Sequence, residues 1–231
     1  VLRVETRLFL REPGALFWVL AFPSLLLLGF GLVPTYRGII GVFVPSTVLV
    51  ALVTASLLAL PSTLTSYRER GILRRLRTTP ARPAHLLAVQ LLIHGTAAVV
   101  GALLAVLIGR LVWGVALPDH PVAYGVALTL ATLAALATGA VVTAVARTVK
   151  AAQAIGLAVF FPAMFAAGIY VPVQALPAAV RRAVELVPFG AAARALDAAA
   201  AGDLPSWTHL AVLALWTVVL VGVAARWFRW E

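Results

Sequence analysis

Six apolar stretches, each close to the roughly twenty residues that a helix needs to cross the hydrocarbon core of a bilayer, dictate what this chain of 231 residues can become. They fall at about residues 15–34, 39–64, 86–112, 122–146, 151–171 and 207–227. Hydrophobic residues make up 63% of the chain and charged ones 11%, a ratio that no water-exposed surface of this size could cover. Spanning strands would show segments of about ten residues with alternating polarity, whereas these runs are continuous in Leu, Val and Ala. The expected fold is an all-α integral membrane protein forming one transmembrane domain over residues 1–231.

Charge supplies the topology. With the N-terminus cytoplasmic, six spans leave Arg3, Arg7, Arg11, Arg68, Arg70, Arg74, Arg75, Arg77, Arg82, Arg147, Lys150, Arg226 and Arg229 on that side. These are thirteen of the eighteen basic residues, as the positive-inside rule requires. Arg37, Arg110, Arg181, Arg182 and Arg194 fall outside. The net charge of +10 therefore follows the membrane rather than a nucleic-acid surface. Both termini are expected in the cytoplasm, and the first span is expected to be retained, because its apolar run exceeds a signal-peptide core and lacks a small-residue cleavage site. One lysine, no asparagine and abundant Arg, Ala, Val and Leu suit a GC-rich bacterial genome, hence a bacterial cytoplasmic membrane.

Residues 1–14 read as an interfacial helix that ends at Pro13-Gly14. Arg3, Arg7 and Arg11 recur at i, i+4, i+8, and Val1, Val4, Leu8 and Phe9 are available for lipid. Pro23, Pro45, Pro61 and Pro162 interrupt spans and predict kinks. Residues 172–206 are too polar for a span and predict two short outer helices, with Arg181–Glu185 and Arg194–Asp197 as intrahelical ion pairs. Small residues at Gly101–Ala105 and Gly139–Thr143 predict close helix contacts.

All eight acidic residues lie outside the spans, which disfavours a carboxylate-driven antiporter. Gln90 and His94 remain as polar groups at i, i+4 on the third span, suited to an interhelical hydrogen bond or a proton relay. There is no paired carboxylate, no histidine cluster with metal-ligand spacing and no nucleophile beside a base, so no catalytic residue and no metal ligand is assigned. No Gly-x-x-x-x-Gly-Lys-Ser/Thr loop is present either, so ATP used by this protein must be hydrolysed by another polypeptide.

The densest charge lies at residues 66–83, which hold six of the arginines. As a helix, this segment would put Arg70, Arg74 and Arg77 on one face, and Ile72, Leu73 and Leu76 would form an apolar patch for a partner's groove. Arg68-Glu69-Arg70-Gly71-Ile72-Leu73-Arg74-Arg75-Leu76-Arg77-Thr78-Thr79-Pro80 resembles the segment after the second span of type-2 ATP-binding cassette (ABC) exporter permeases, in a shorter variant with Ile72 where Thr is common. Phe160-Phe161-Pro162-Ala163-Met164-Phe165-Ala166-Ala167-Gly168-Ile169-Tyr170-Val171-Pro172, Leu176-Pro177 and Val187-Pro188-Phe189 are similar to that family's fifth span and outer helices.

The resemblance implies an exporter permease without its own enzyme activity. It would pair with itself or a related permease, as a homodimer or heterodimer, and couple to two copies of a separate ATPase that holds ATP and magnesium. No cofactor would be bound by this chain. The implied ATPase-coupling residues are Arg68, Glu69, Arg70, Gly71, Ile72, Leu73, Arg74, Leu76, Arg77 and Pro80. The implied substrate pathway takes Phe30, Thr54, Phe161, Phe165 and Tyr170 from the first, second and fifth spans. Pro172, Pro177, Pro188 and Phe189 would form the outer gate. An acid-free apolar pathway, with resemblance to drug-export members, favours drugs, antibiotics or lipids; export of polysaccharide or lipid-linked glycan is the alternative within the family. An ion-coupled secondary transporter or a membrane-embedded enzyme is the alternative outside it.

Overall fold

The computed structural model describes residues 2–72 and 83–227, and among them the regular elements are all helical. Helix α1 (Leu2–Leu10) precedes the spans α2 (Pro13–Leu32) and α3 (Ile40–Glu69). Then come α4 (Pro83–Trp113), α5 (Pro121–Val145) and α6 (Val149–Ala166). Two short helices, α7 (Ala178–Glu185) and α8 (Pro188–Ala200), lead to α9 (Trp207–Trp227). Six of these helices are long and apolar enough to cross a membrane. Within its apolar window α3 is 89% buried and α9 only 11%, so α3 is the axis of the bundle and α9 its outermost span.

Two of the expected proline kinks take a specific form. Phe17–Ala21 and Thr54–Ala59 are widened π turns just ahead of Pro23 and Pro61. Phe22 N–H reaches back to Phe17 O and Leu60 N–H to Ala55 O. Because proline has no N–H, the carbonyls of Val19 and Leu57 lose the donors a regular α-helix would give them, and Ser56 O loses its own because the Leu60 N–H goes to Ala55 O. Glycines of three neighbouring helices close over these oxygens. A Cβ built on Gly101 would lie 2.4 Å from Val19 O, one on Gly139 2.0 Å from Ser56 O and one on Gly156 2.4 Å from Leu57 O. Only a hydrogen on Cα allows that approach, which permits weak Cα–H···O contacts between packed helices. Pro45 and Pro162 sit inside α3 and α6.

Two expectations need correction. The second span continues to Glu69 rather than ending near Leu64, so Arg68 and Glu69 occupy its last turn. It stops where Gly71 adopts φ +67°, a left-handed conformation that favours glycine at a helix end. The fifth span stops at Ala166, not near Val171, because Gly168 (φ +78°) closes a Schellman-type cap: its N–H bonds Phe165 O at 3.0 Å and Ile169 N–H bonds Met164 O at 3.2 Å. Of the two short outer helices, α8 is embedded in the bundle. Phe189, Ala191, Ala192, Ala195, Leu196 and Ala199 are buried, and the helix packs against α3, α5, α6 and α9.

Both expected intrahelical ion pairs are replaced. Glu185 pairs with Arg194 of α8 at 3.0 Å and approaches His209 of α9 at 3.9 Å, while Arg181 donates to Gln174 O at 3.5 Å. Asp197 accepts instead from the Gln174 amide at 2.6 Å. The last turn of α7 rests on the first turn of α8, where a Cβ on Gly190 would meet Val184 O at 2.0 Å. That contact brings Glu185 opposite a cation of another helix.

Candidate functional site

Three consecutive residues at the end of α3 each reach a different helix. Tyr67 donates its hydroxyl to Glu5 Oε2 of α1 at 2.6 Å. Arg68 donates from Nη1 to Thr143 O at 3.2 Å and to Ala146 O, both at the C-terminal end of α5. Glu69 Oε1 accepts the Val149 N–H at 2.9 Å, the first N–H of α6. The last carbonyls of a helix lack intrahelical donors and its first N–H groups lack acceptors. A guanidinium at the end of α5 and a carboxylate at the start of α6 therefore meet both needs with the sign that each helix dipole favours. Thr148 completes the α6 cap, its Oγ1 accepting from Ala151 N at 3.1 Å.

The same carboxylate that holds Tyr67 also holds α4. Gln90 Nε2 donates to Glu5 Oε2 at 2.7 Å, and His94 Nδ1 lies 2.9 Å from Gln90 O. Gln90 is 2% exposed and His94 is fully buried. Phe9 sets its ring edge-on to His94, with centroids 5.2 Å apart, so Phe9 faces the bundle instead of lipid. Val4 and Leu8 do face outward, at 59% and 50% exposure. The expected interhelical hydrogen bond of Gln90 exists, and its partner comes from the interfacial helix.

A cleft of about 1110 Å³ opens beside this junction, lined by Arg11, Trp18, Ser66, Glu69, Gln153 and Leu157 among others. From Leu157 the same face of α6 continues through Phe161 and Phe165, spaced by four residues, and all three are exposed. Tyr170, also exposed, lies beyond the Gly168 turn. The other expected pathway residues are elsewhere. Thr54 is fully buried, with its hydroxyl bonded to Val50 O at 2.8 Å and Ala51 O at 3.1 Å. Phe30 packs against Phe43 and Tyr36, with centroids 4.7 and 5.9 Å away.

At the opposite end of the bundle, Pro172 precedes the turn Val173–Ala175, Pro177 precedes α7 and Pro188 opens α8 with a φ already suited to a helix. Phe189 is buried there. Of the implied coupling residues, Arg68, Glu69, Arg70, Gly71 and Ile72 are placed, whereas Leu73, Arg74, Leu76, Arg77 and Pro80 lie outside the described residues. Sequence reasoning did not single out Tyr67, Glu5 or Val149. A signal for Glu5 existed, since it shares the Phe9 side of α1 at i, i+4.

A helical bundle with six helices long and apolar enough to cross a membrane is the architecture of a multi-pass membrane protein. The chain belongs to the ABC-2 type transporter family, whose sequence model matches residues 1–199, and so it is the membrane subunit of an ABC transporter. No curated protein and no solved structure matches the chain.

Proposed function

We propose that this chain is an exporter permease, moving amphipathic or lipophilic molecules such as drugs, antibiotics or lipids out of a bacterial cell across the cytoplasmic membrane. Two copies of a separate ATPase, which hold ATP and magnesium, drive it, and a second permease subunit completes the pathway. Both termini and residues 66–83 face the cytoplasm.

The observation that carries this reading is the run Tyr67-Arg68-Glu69, bonded in turn to α1, to the end of α5 and to the start of α6. A push on residues 70–80 cannot move α3 alone. It is passed to the interfacial helix through Glu5 and to α6 through Val149. The exposed row Leu157, Phe161 and Phe165 sits on α6, so the helix that receives the push also offers the lipophilic face. Work in this scheme comes from the ATPase binding ATP more tightly in one arrangement of the bundle than in the other.

The test is to purify the chain with its ATPase in lipid vesicles and follow hydrolysis together with export of a lipophilic dye. Glu69→Gln and Gly71→Pro should leave assembly intact and lower dye export per ATP hydrolysed. Full export per ATP in both variants, or failure of any ATPase to associate, would refute the reading.

A further inference from the structure

A second cavity, of about 450 Å³, lies at the far end of the bundle from the Tyr67–Glu69 junction. Its walls are mostly apolar, built from the start of α3 around Pro45, from Val106 of α4 and from Val115 to Pro118. Its polar groups converge from three elements: Tyr124 of α5, Gln174 of the turn after α6, and Asp197 of α8, with Asp203 at the rim. Tyr124 is 7% exposed, and its hydroxyl has no hydrogen-bond partner among the described residues. A buried hydroxyl left unmatched forfeits its hydration, and a polar ligand in this cavity would restore it.

The charge balance selects the ligand. Arg194 also lines the cavity, but its guanidinium is 3.0 Å from Glu185 and so already faces a carboxylate. Among the described residues Asp197 is bonded only through Oδ2, to Gln174 Nε2 at 2.6 Å, which is a neutral partner. Asp203 forms no ion pair among the described residues. The space therefore offers two carboxylates that form no ion pair among the described residues, one of them within the field of Arg194, together with a phenol oxygen able to accept a hydrogen bond and apolar walls. Among the described residues no group of three acidic or histidine side chains is placed to hold a metal ion. The volume falls within the 300–1,000 Å³ range of small-molecule pockets.

We infer that this cavity binds the ammonium end of a small amphipathic amine, with Asp197 and Tyr124 holding the cation and the Pro45–Val106–Val115 walls holding its apolar part. Burial pushes the Asp197 carboxyl up to about 6, against the opposing pull of the Gln174 hydrogen bond and of Arg194. Tyr124 and Gln174 face it from neighbouring elements, Arg194 from its own helix, and His209 and Glu185 lie behind Arg194. A bound cation relieves the cost of ionising a buried carboxylate, and by linkage an ionised carboxylate is what the cation needs. Amine binding should thus be strong at pH 7.5 and fall about tenfold at pH 5, where about a tenth of the carboxylate is ionised.

The inference does not rest on the transport reading, because binding is measured on the full chain alone. Phenethylamine and its neutral counterpart 2-phenylethanol are titrated into the protein in phosphatidylcholine nanodiscs, with empty nanodiscs subtracted. Saturable binding of the amine, at least tenfold tighter than the alcohol and weakened at pH 5, is expected. Asp197→Asn should abolish the preference for the amine. Tyr124→Phe removes only the unmatched hydroxyl, so it should fold normally and weaken the amine about tenfold. Equal binding of amine and alcohol, no saturable binding of either, or a Tyr124→Phe variant with unchanged amine affinity and pH profile would overturn the assignment.

Discussion

Glu69 of the second span accepts the first backbone N–H of the fifth, that of Val149, at 2.9 Å. This carboxylate acts as an N-terminal cap supplied by a different helix. Caps of this kind contribute about 1 kcal/mol, enough to shift a two-state equilibrium about fivefold. Glu69→Ala should therefore bring little global destabilisation, but it should loosen the start of α6. Hydrogen exchange of residues 149–153 is the direct readout, and faster exchange confined to that turn is the expected result.

Glu5 meets two demands with one oxygen, from Tyr67 and from Gln90. Glu5→Ala leaves both donors without their acceptor, and an unsatisfied buried polar group costs about 1–3 kcal/mol. The variant should lower the thermal midpoint in detergent and expose α1 to proteolysis. Replacing Gln90 by Leu in the same variant should recover part of the loss, since one orphaned group is then removed. A double variant no more stable than Glu5→Ala alone would argue against the shared carboxylate as the anchor.

Gly139 and Ser56 meet in a tight seam between two spans, where an added methyl would sit 2.0 Å from a backbone oxygen. Gly139→Ala should cost about 1–3 kcal/mol by overpacking, because backbone cannot step aside as a side chain can. Gly29 is the matched control: nothing lies within 4 Å of its added Cβ. Gly29→Ala should be neutral or stabilising by up to about 1 kcal/mol through helix propensity.

The natural chain has no cysteine, so a single introduced thiol reports on one place only. Phe161→Cys, on the exposed face of α6, should form a disulfide-linked dimer in native membranes if that face meets a second subunit. Val218→Cys, on the 71% exposed flank of α9, should not. Equal crosslinking at both positions would sink the assignment of the α6 face.

Asp197 gives a pH signature of its own. Its folded-state pKa is raised to about 6, above the ordinary value near 3.9, so the folded state holds this proton more tightly than the unfolded one. The stabilisation is complete below about pH 4 and is lost as pH rises through about 6. Asp197→Asn should remove that part of the pH dependence of the thermal midpoint, a difference measured against the parent protein from pH 4 to 8.

Much of the architecture was legible in one dimension because a bilayer leaves few choices. Runs of apolar residues as long as 39–64 can only be buried or lipid-facing helices, and the prolines and glycines marked where those helices would bend or approach. Helix ends were less legible. Glu69 looked like part of a cytoplasmic loop because it is charged, yet the helix continues through it, since Arg68 and Glu69 find partners on α5 and α6. Asp197 was within reach of Arg194 along its own helix, but Gln174 takes its carboxylate.

The sequence by itself determined the class of the protein: an all-helical membrane subunit, with six spans and a charged segment after the second. Those features depend on local composition and hydrophobic length, which each stretch carries without its neighbours. The tertiary structure decided which polar groups act together. Glu5, Tyr67 and Gln90 are separated by tens of residues, and Gly139 meets the Ser56 carbonyl within the π turn before Pro61 although 83 positions separate the two along the chain. Hydrogen bonds and close contacts between helices depend on rotation and depth in the bundle, and packing fixes those for all the helices at once.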